Sequence, residues 1–210
     1  MITSVDIQLI VKVLLALFAA LVMSFAATPV VKNFATRVGA IDVPRDNRRM
    51  HKHPIPRLGG LAIFLGFILA VLLFADINKQ IRGVLLGSVI IVIVGAIDDI
   101  VSLKWWLKLL GQFAAAGVAV WHDVVITVFS NPIVFSDTQH LLLGGLAIPI
   151  TIIWIVAVTN SVNLIDGLDG LAVGVSGICS FTMLVISILV SEVNVAIVMA
   201  ALARLWQTWR

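Results

Sequence analysis

Long apolar runs alternate with short polar segments along the chain. A helix that crosses a membrane needs about 20 mostly apolar residues, and shorter ones occur inside bundles. Backbone groups in lipid must form their hydrogen bonds internally, so each run predicts a helix. The runs are Val13–Val31, Leu58–Ala75, Val84–Ile97, Leu107–Trp121, Ala147–Val162, Leu171–Val190 and Val193–Ala203. We therefore predict an all-α, polytopic transmembrane helix bundle of about six or seven spans, in a single integral-membrane domain over residues 1–210.

Composition strengthens this prediction. Hydrophobic residues make up 61% of the chain and charged residues 12%, whereas soluble domains are about 45–50% apolar. The net charge of +3 comes without a basic stripe, so there is no reason to expect nucleic acid as a partner. Cys179 is the only cysteine, which excludes an intrachain disulfide. Its thiol is expected to behave as a small apolar side chain within its span.

The basic residues predict the orientation, because Lys and Arg accumulate in cytoplasmic loops. The loop after the first run is predicted to hold Lys32, Arg37, Arg45, Arg48, Arg49, Lys52 and Arg57. The loop Trp121–Gly145 holds neither Lys nor Arg. The loop after the first run is therefore predicted to face the cytoplasm. Counting spans forward places Asp98–Lys104 and the segment after Val162 on the same side, so three hydrophilic segments should meet at one membrane face.

One segment on the opposite side differs from the rest. The stretch Val124–Phe135 is rich in β-branched residues and is broken by Asn131–Pro132. This pattern predicts a short external hairpin or a re-entrant piece. No function follows from it.

Two adjacent acids follow the third apolar run. Asp98 and Asp99 come directly after Val84–Ile97, and a helix there would place both carboxylates at its C-terminal end. The helix dipole is negative at that end, which costs up to about 1 kcal/mol per charge. Ionisable groups at membrane depth are expensive and usually functional. We expect a basic side chain or a divalent ion to compensate them; the alternative is a solvated loop that contains two acids.

A second acidic segment, Asn163–Gly170, reads NLIDGLDG. Asp166 and Asp169 are three residues apart, so a helical turn would place them on one face. Gly167 and Gly170 indicate a partly irregular or closely approached backbone. Amide and carboxylate oxygens suit a hard cation such as Mg²⁺. The alternative is a polar helix cap between two spans.

The hydrophilic segment that comes first along the chain, Asp42–Gly60, is here called the first hydrophilic segment and reads DVPRDNRRMHKHPIPRLGG. Its basic residues could set the orientation or attract anionic lipid head groups. Arg and Lys also suit phosphate groups, so a phosphate-binding role is the competing interpretation. His51 and His53 alone are weak evidence for a metal site.

Three motifs carry a resemblance to a known family. They are Pro56–Gly60 (PRLGG), Gly95–Asp99 (GAIDD) and Asn160–Leu171 (NSVNLIDGLDGL). In this order and topology they resemble the polyprenyl-phosphate N-acetylhexosamine-1-phosphate transferases, glycosyltransferase family 4. The branch that loads N-acetylglucosamine-1-phosphate onto undecaprenyl phosphate looks nearest, and the phospho-N-acetylmuramoyl-pentapeptide transferases are the main rival. The resemblance extends to about Ala203.

The resemblance implies a larger fold of ten or eleven spans in the bacterial cytoplasmic membrane, with its active site facing the cytoplasm. The implied reaction transfers N-acetylglucosamine-1-phosphate from UDP-N-acetylglucosamine to undecaprenyl phosphate and releases UMP. It would initiate a lipid-linked envelope glycan of peptidoglycan, teichoic acid or lipopolysaccharide synthesis. The implied cofactor is Mg²⁺, with Mn²⁺ as an alternative, and a homodimer is compatible with the family.

The resemblance also assigns roles to residues. Asp98 and Asp99 match the family's paired catalytic aspartates, and Asn163 matches a position that ligates Mg²⁺. Lys108, on the helix after the paired acids, matches a lysine that binds the diphosphate.

Four further positions match substrate-binding positions of the family. Asp169 matches a residue that contacts the uracil, and Asp166 matches the other acid of the nucleotide site. His51 and Arg57 match the family's first cytoplasmic loop, where their role is less defined.

The chain departs from the family after its seventh run. A later G-D-x-G-S motif, whose Asp is a metal ligand, and a later His-rich cytoplasmic loop do not occur here. Arg204–Arg210 (RLWQTWR) is an atypical tail where the apolar run should continue. We expect a truncated or frame-shifted product, so an inactive membrane fragment is one alternative. A cation-coupled transporter is another, but it predicts acids near mid-span rather than at span ends.

Overall fold

The computed structural model describes residues 7–42, 55–56, 58–130, 140–165 and 171–203. Within these residues the chain is mostly helical. Its helices are α1 (Ile7–Val38), α2 (Gly59–Phe74), α3 (Lys79–Val101), α4 (Trp105–Trp121), α5 (Ala147–Ile165), α6 (Leu171–Leu189) and α7 (Val193–Ala203). Each helix contains most or all of one predicted apolar run, which confirms the all-α bundle.

Four of the described helical segments are long and apolar enough to cross a membrane. They are Ile7–Val38, Lys79–Val101, Gly144–Ile165 and Leu171–Leu189. The helices α2 and α7 are apolar but shorter. Large apolar side chains such as Phe25, Trp154 and Ile178 are exposed on the helix surfaces, as expected of helices that face lipid. The chain is therefore a multi-pass membrane protein.

Helix α1 is longer than the apolar run predicted. It continues through Pro29 to Val38, so Lys32 and Arg37 lie in the helix and not in the following loop. Both side chains are exposed, and Arg37 in the last turn is favourable at the negative end of the helix dipole. The placement of these two residues in a loop was wrong, because hydropathy marks the lipid boundary rather than the helix end.

Two short antiparallel strand pairs supplement the helices. Strand β1 (Ile41–Asp42) pairs with β2 (Ile55–Pro56), which joins the two ends of the first hydrophilic segment. Strand β3 (Val128–Ser130) pairs with β4 (His140–Leu142). The second pair is a hairpin where one was predicted, but its second strand lies beyond Phe135. The first pair was not predicted.

The described residues belong to two compact units. The first unit takes its residues from Met1–Asp76, Ala96–Ser102 and Ile165–Arg210, and the second from Ile77–Gly95 and Leu103–Leu164. This division does not test the predicted single membrane domain, which stays a prediction.

In the first unit, α1 packs against α2 and α7, and α6 packs against α7. The buried face of α1 includes Ala16, Ala20 and Ser24, all fully buried. Small side chains let helix backbones approach closely, which is the main source of packing energy between helices in lipid. The first unit is therefore built on a seam of small residues along α1.

The two ends of the first unit are distinct. At one end the backbone N–H of Asp76, after α2, donates a hydrogen bond to Oδ1 of Asn194 in the first turn of α7 (3.0 Å). At the other end lie the C-terminus of α1 and the N-terminus of α2. Helix α6 is joined to α7 by a short turn and packs antiparallel to it. The first residue of α6, Leu171, therefore lies toward the end that holds the C-terminus of α1 and the N-terminus of α2.

In the second unit, α3 and α4 form a tight antiparallel hairpin. A Cβ added to Gly83 would lie 2.5 Å from His122 Cβ, and one added to Gly87 would lie 3.2 Å from the carbonyl oxygen of Ala115. The spacing Gly83–Gly87 is the small-xxx-small pattern of close helix pairs. At the end of the hairpin opposite its connecting loop, Lys79 Nζ and an Asp123 carboxylate oxygen form an exposed ion pair at 2.6 Å. Such a pair adds little stability.

The glycine contact predicts a specific destabilisation. Gly83→Ala should lower the thermal unfolding midpoint of the detergent-solubilised protein, because His122 Cβ is fixed to its backbone and cannot move aside. Overpacking of this kind costs about 1–3 kcal/mol. Gly117→Ala is the matched control, since a Cβ there meets nothing within 4 Å. Equal midpoints for the two variants would contradict the close α3–α4 approach.

Candidate active site

The paired aspartates lie in the last turn of α3. Both Asp98 and Asp99 are half-buried, and the carbonyl oxygen of Asp98 accepts a hydrogen bond from the Ser102 N–H at 2.8 Å. Ser102 has a φ of +51°, a left-handed conformation that ends the helix and is usually supplied by glycine. The prediction that both carboxylates sit at a helix C-terminus is confirmed.

A cluster of small and branched side chains holds this turn in place. The buried members, here called the base cluster, are Ala27, Val31, Ala35, Ala40, Leu58 and Ala62. Ala96, two residues before Asp98, packs against the base cluster. Ala40 directly precedes β1 and Leu58 lies two residues after β2. The aspartate turn is therefore anchored beside both ends of the first hydrophilic segment.

Four of the predicted substrate-binding residues lie outside the described part of the chain. They are His51, Arg57, Asp166 and Asp169. Their roles stay predictions. The helix that follows the second acidic segment begins at Leu171, toward the same end of the first unit as the base cluster.

Lys108 and Asn163 belong to the second unit. Lys108 is half-buried in the first turns of α4, and Asn163 is exposed in the last turn of α5. About one turn away on the same two helices, the side chains of Gln112 and Asn160 hydrogen-bond to each other. Gln112 was not among the predicted site residues, although an amide inside the apolar run Leu107–Trp121 is a signal of a polar contact between helices.

The donor chemistry of α3 suits a hard cation bound together with a phosphate ligand. In the ranges that the structure describes, no group of three or more His, Cys, Asp and Glu side chains could hold a metal ion. Mg²⁺ is, however, usually bound by one or two carboxylates plus substrate phosphates and water. The adjacent, half-buried carboxylates of Asp98 and Asp99 fit that requirement.

The fold and these carboxylates define a polytopic membrane protein with an acidic site at the end of a helix. The model of the glycosyl transferase family 4 matches residues 81–206. That match covers α3 from Ile81 onward and all of α4 to α7, including the aspartate turn, Lys108 and Asn163. The chain belongs to glycosyl transferase family 4.

Three curated relatives illustrate the similarity. A probable undecaprenyl-phosphate N-acetylglucosaminyl 1-phosphate transferase of Bacillus subtilis is 37% identical over 85% of this chain and 49% of its own length. A decaprenyl-phosphate N-acetylglucosaminephosphotransferase of Mycobacterium tuberculosis is 36% identical over 83% and 45%. A phospho-N-acetylmuramoyl-pentapeptide-transferase of Thermoanaerobacter sp. is 32% identical over 82% and 58%. The chain spans about half the length of the first two relatives.

The anchoring of the aspartate turn is testable without any substrate. Ala96→Phe should lower the thermal unfolding midpoint, because the added ring must displace members of the base cluster at a cost of about 1–3 kcal/mol. Ile97→Phe is the matched control, since Ile97 is 42% exposed. A midpoint for Ala96→Phe no lower than that of Ile97→Phe would show that the turn does not pack as described.

Proposed function

We propose that this chain forms part of the active site of an enzyme that transfers N-acetylglucosamine-1-phosphate from UDP-N-acetylglucosamine to undecaprenyl phosphate. The observation that carries the proposal is the position of Asp98 and Asp99 in the last turn of α3. That turn is anchored by the base cluster, near the two ends of the first hydrophilic segment. The names of the Bacillus and Mycobacterium relatives support the acceptor and the transferred group.

In the proposed reaction, an oxygen of the lipid phosphate attacks the phosphorus that carries the sugar. A new phosphorus–oxygen bond forms in line as the bond to the UMP oxygen breaks, and UMP leaves. Phosphoryl transfer of this kind depends on positioning and on neutralising charge. Lys108 supplies a positive point charge for the diphosphate. Asp166 and Asp169 would hold the nucleotide, while His51 and Arg57 would face the phosphates from the first segment.

Mg²⁺, or Mn²⁺ in its place, is the proposed cofactor. Asp98, Asp99 and Asn163 would hold it, and it would neutralise charge on the diphosphate. A phosphate monoester has a second pKa of about 6, so the lipid phosphate is largely dianionic at neutral pH. A general base would then contribute little, and we assign the aspartates mainly to positioning.

The proposed location is the bacterial cytoplasmic membrane with the site facing the cytoplasm. The positive charge of the first segment supports this orientation. The glycan that the lipid-linked sugar initiates and a homodimeric state stay predictions.

The aspartates should be essential for turnover. Asp98→Asn and Asp99→Asn should each lower UMP release by about 100-fold or more, the usual cost of removing a group that positions transition-state charge. Asp76→Asn is the charge-matched control, because Asp76 lies at the opposite end of the first unit. Recovery at higher Mg²⁺ would indicate metal positioning, whereas recovery only at higher pH would indicate a base. Near-full turnover in both variants would refute the assigned site.

The assay itself separates the competing functions. UMP release is measured with undecaprenyl phosphate and either UDP-N-acetylglucosamine or the UDP-linked N-acetylmuramoyl-pentapeptide. It is run with this chain alone and with the chain joined to the C-terminal half of the Bacillus relative. We expect UMP release with UDP-N-acetylglucosamine as the donor and none with the pentapeptide donor. Release only from the pentapeptide donor would favour the Thermoanaerobacter relative's function, and none from either form would favour a transporter or an inactive fragment.

A further inference from the structure

Two amides form a closed pair between α4 and α5. Gln112 Nε2 donates a hydrogen bond to Asn160 Oδ1 at 3.3 Å, and Asn160 Nδ2 donates one to Gln112 Oε1 at 2.6 Å. Asn160 Nδ2 also donates to the carbonyl oxygen of Val156 at 2.8 Å. A carbonyl can only accept, so this third bond fixes which atom of the Asn160 amide is nitrogen. The orientation of the Gln112 amide follows from it.

The surroundings make this pair selective for one helix register. Gln112 is only 6% exposed, and its neighbours on the buried face of α4 are Ala115, Ala116 and Ala119. Asn160 is exposed. A slip of one turn, about 5.4 Å, would leave the buried amide of Gln112 without its partner and beside apolar side chains. A single interhelical polar contact with a buried member can specify register between helices. In lipid, such interhelical hydrogen bonds favour the paired register over a shifted one by about fivefold.

The pair lies within about one helical turn of each of the two predicted site residues of the second unit. The helices are antiparallel, since at the far end the Ile126 N–H, beyond α4, bonds to Thr151 Oγ1 near the start of α5 (2.9 Å). Lys108 precedes Gln112 by one turn, about 6 Å along α4, and Asn163 follows Asn160 by about 4.5 Å along α5. Both are displaced toward the same end of the helix pair.

We propose that Gln112 and Asn160 are positioning residues: their amide pair sets the register of α4 against α5 and so holds Lys108 and Asn163 at one depth, where both can act on the same diphosphate. This inference rests on the proposed function, which assigns the diphosphate and its metal to these two residues. Neither amide needs to touch substrate.

The register can be measured as a distance. Spin labels are placed on Leu110→Cys and Leu164→Cys, two exposed positions on α4 and α5, in a Cys179→Ser background. Gln112→Leu should broaden or shift the distance distribution, because a slip of one turn moves one label by about 5.4 Å along the helix axis relative to the other. Thr159→Val is the matched control, since its hydroxyl donates a hydrogen bond to the Ile155 carbonyl of its own helix (2.8 Å). The double swap Gln112→Asn with Asn160→Gln keeps the amides and the combined side-chain length, and should restore the parent distance.

The consequence for the site is measured by the affinity for UDP in the presence of Mg²⁺. Gln112→Leu should weaken UDP binding by about fivefold to tenfold, in line with the loss of an interhelical polar pair, and the swap should recover most of it. An unchanged distance in Gln112→Leu overturns the proposal, as does a changed distance with unchanged UDP affinity. A parent protein that binds UDP but releases no UMP defeats the transfer reaction and not the positioning role. A parent that binds no UDP overturns the positioning role as well.

Discussion

The contact of Ala96 with the base cluster is the constraint on which the rest of the site depends. Carboxylates at the C-terminal end of a helix oppose its dipole, so their position must be imposed by packing elsewhere. Here Ala96, just before the last turn of α3, packs against the base cluster, whose members include Ala40 and Leu58, the residues that flank the β1–β2 strand pair. The small side chains of the base cluster permit this close approach. The acidic turn and the ends of the basic segment are thereby placed side by side.

Most of the fold could be predicted from hydropathy, because in lipid an apolar run has almost no alternative to a helix. The helix ends could not. Helix α1 passes its apolar run and Pro29 to end at Val38, since exposed Lys32 and Arg37 are compatible with helix beyond the lipid boundary. The β1–β2 pair was missed for a related reason. Its strands are two residues long, too short to show the alternation of apolar and polar residues that is typical of a strand. They are defined only by their pairing with each other across the segment between them.

The site was predictable to the extent that it depends on residue type. The end-of-helix position of Asp98 and Asp99 follows from where the third apolar run stops. The pairing of Gln112 with Asn160, by contrast, depends on which face of α4 meets α5 and in which register. The contact of Gly83 with His122 depends on the antiparallel α3–α4 hairpin in the same way. Side-chain chemistry can be read from a linear pattern, but partners between helices require the packed bundle.

A shared site requires the end of α3 and the start of α6 to lie at one membrane surface. Single cysteines at Val101 and Leu171, both exposed, and at Glu192 as the opposite-side reference, are introduced in a Cys179→Ser background. A membrane-impermeant thiol reagent is then applied to sealed vesicles of each orientation. We predict labelling of Val101→Cys and Leu171→Cys from the cytoplasmic side and of Glu192→Cys from the other. Labelling of Val101→Cys and Leu171→Cys from opposite sides would contradict a shared site.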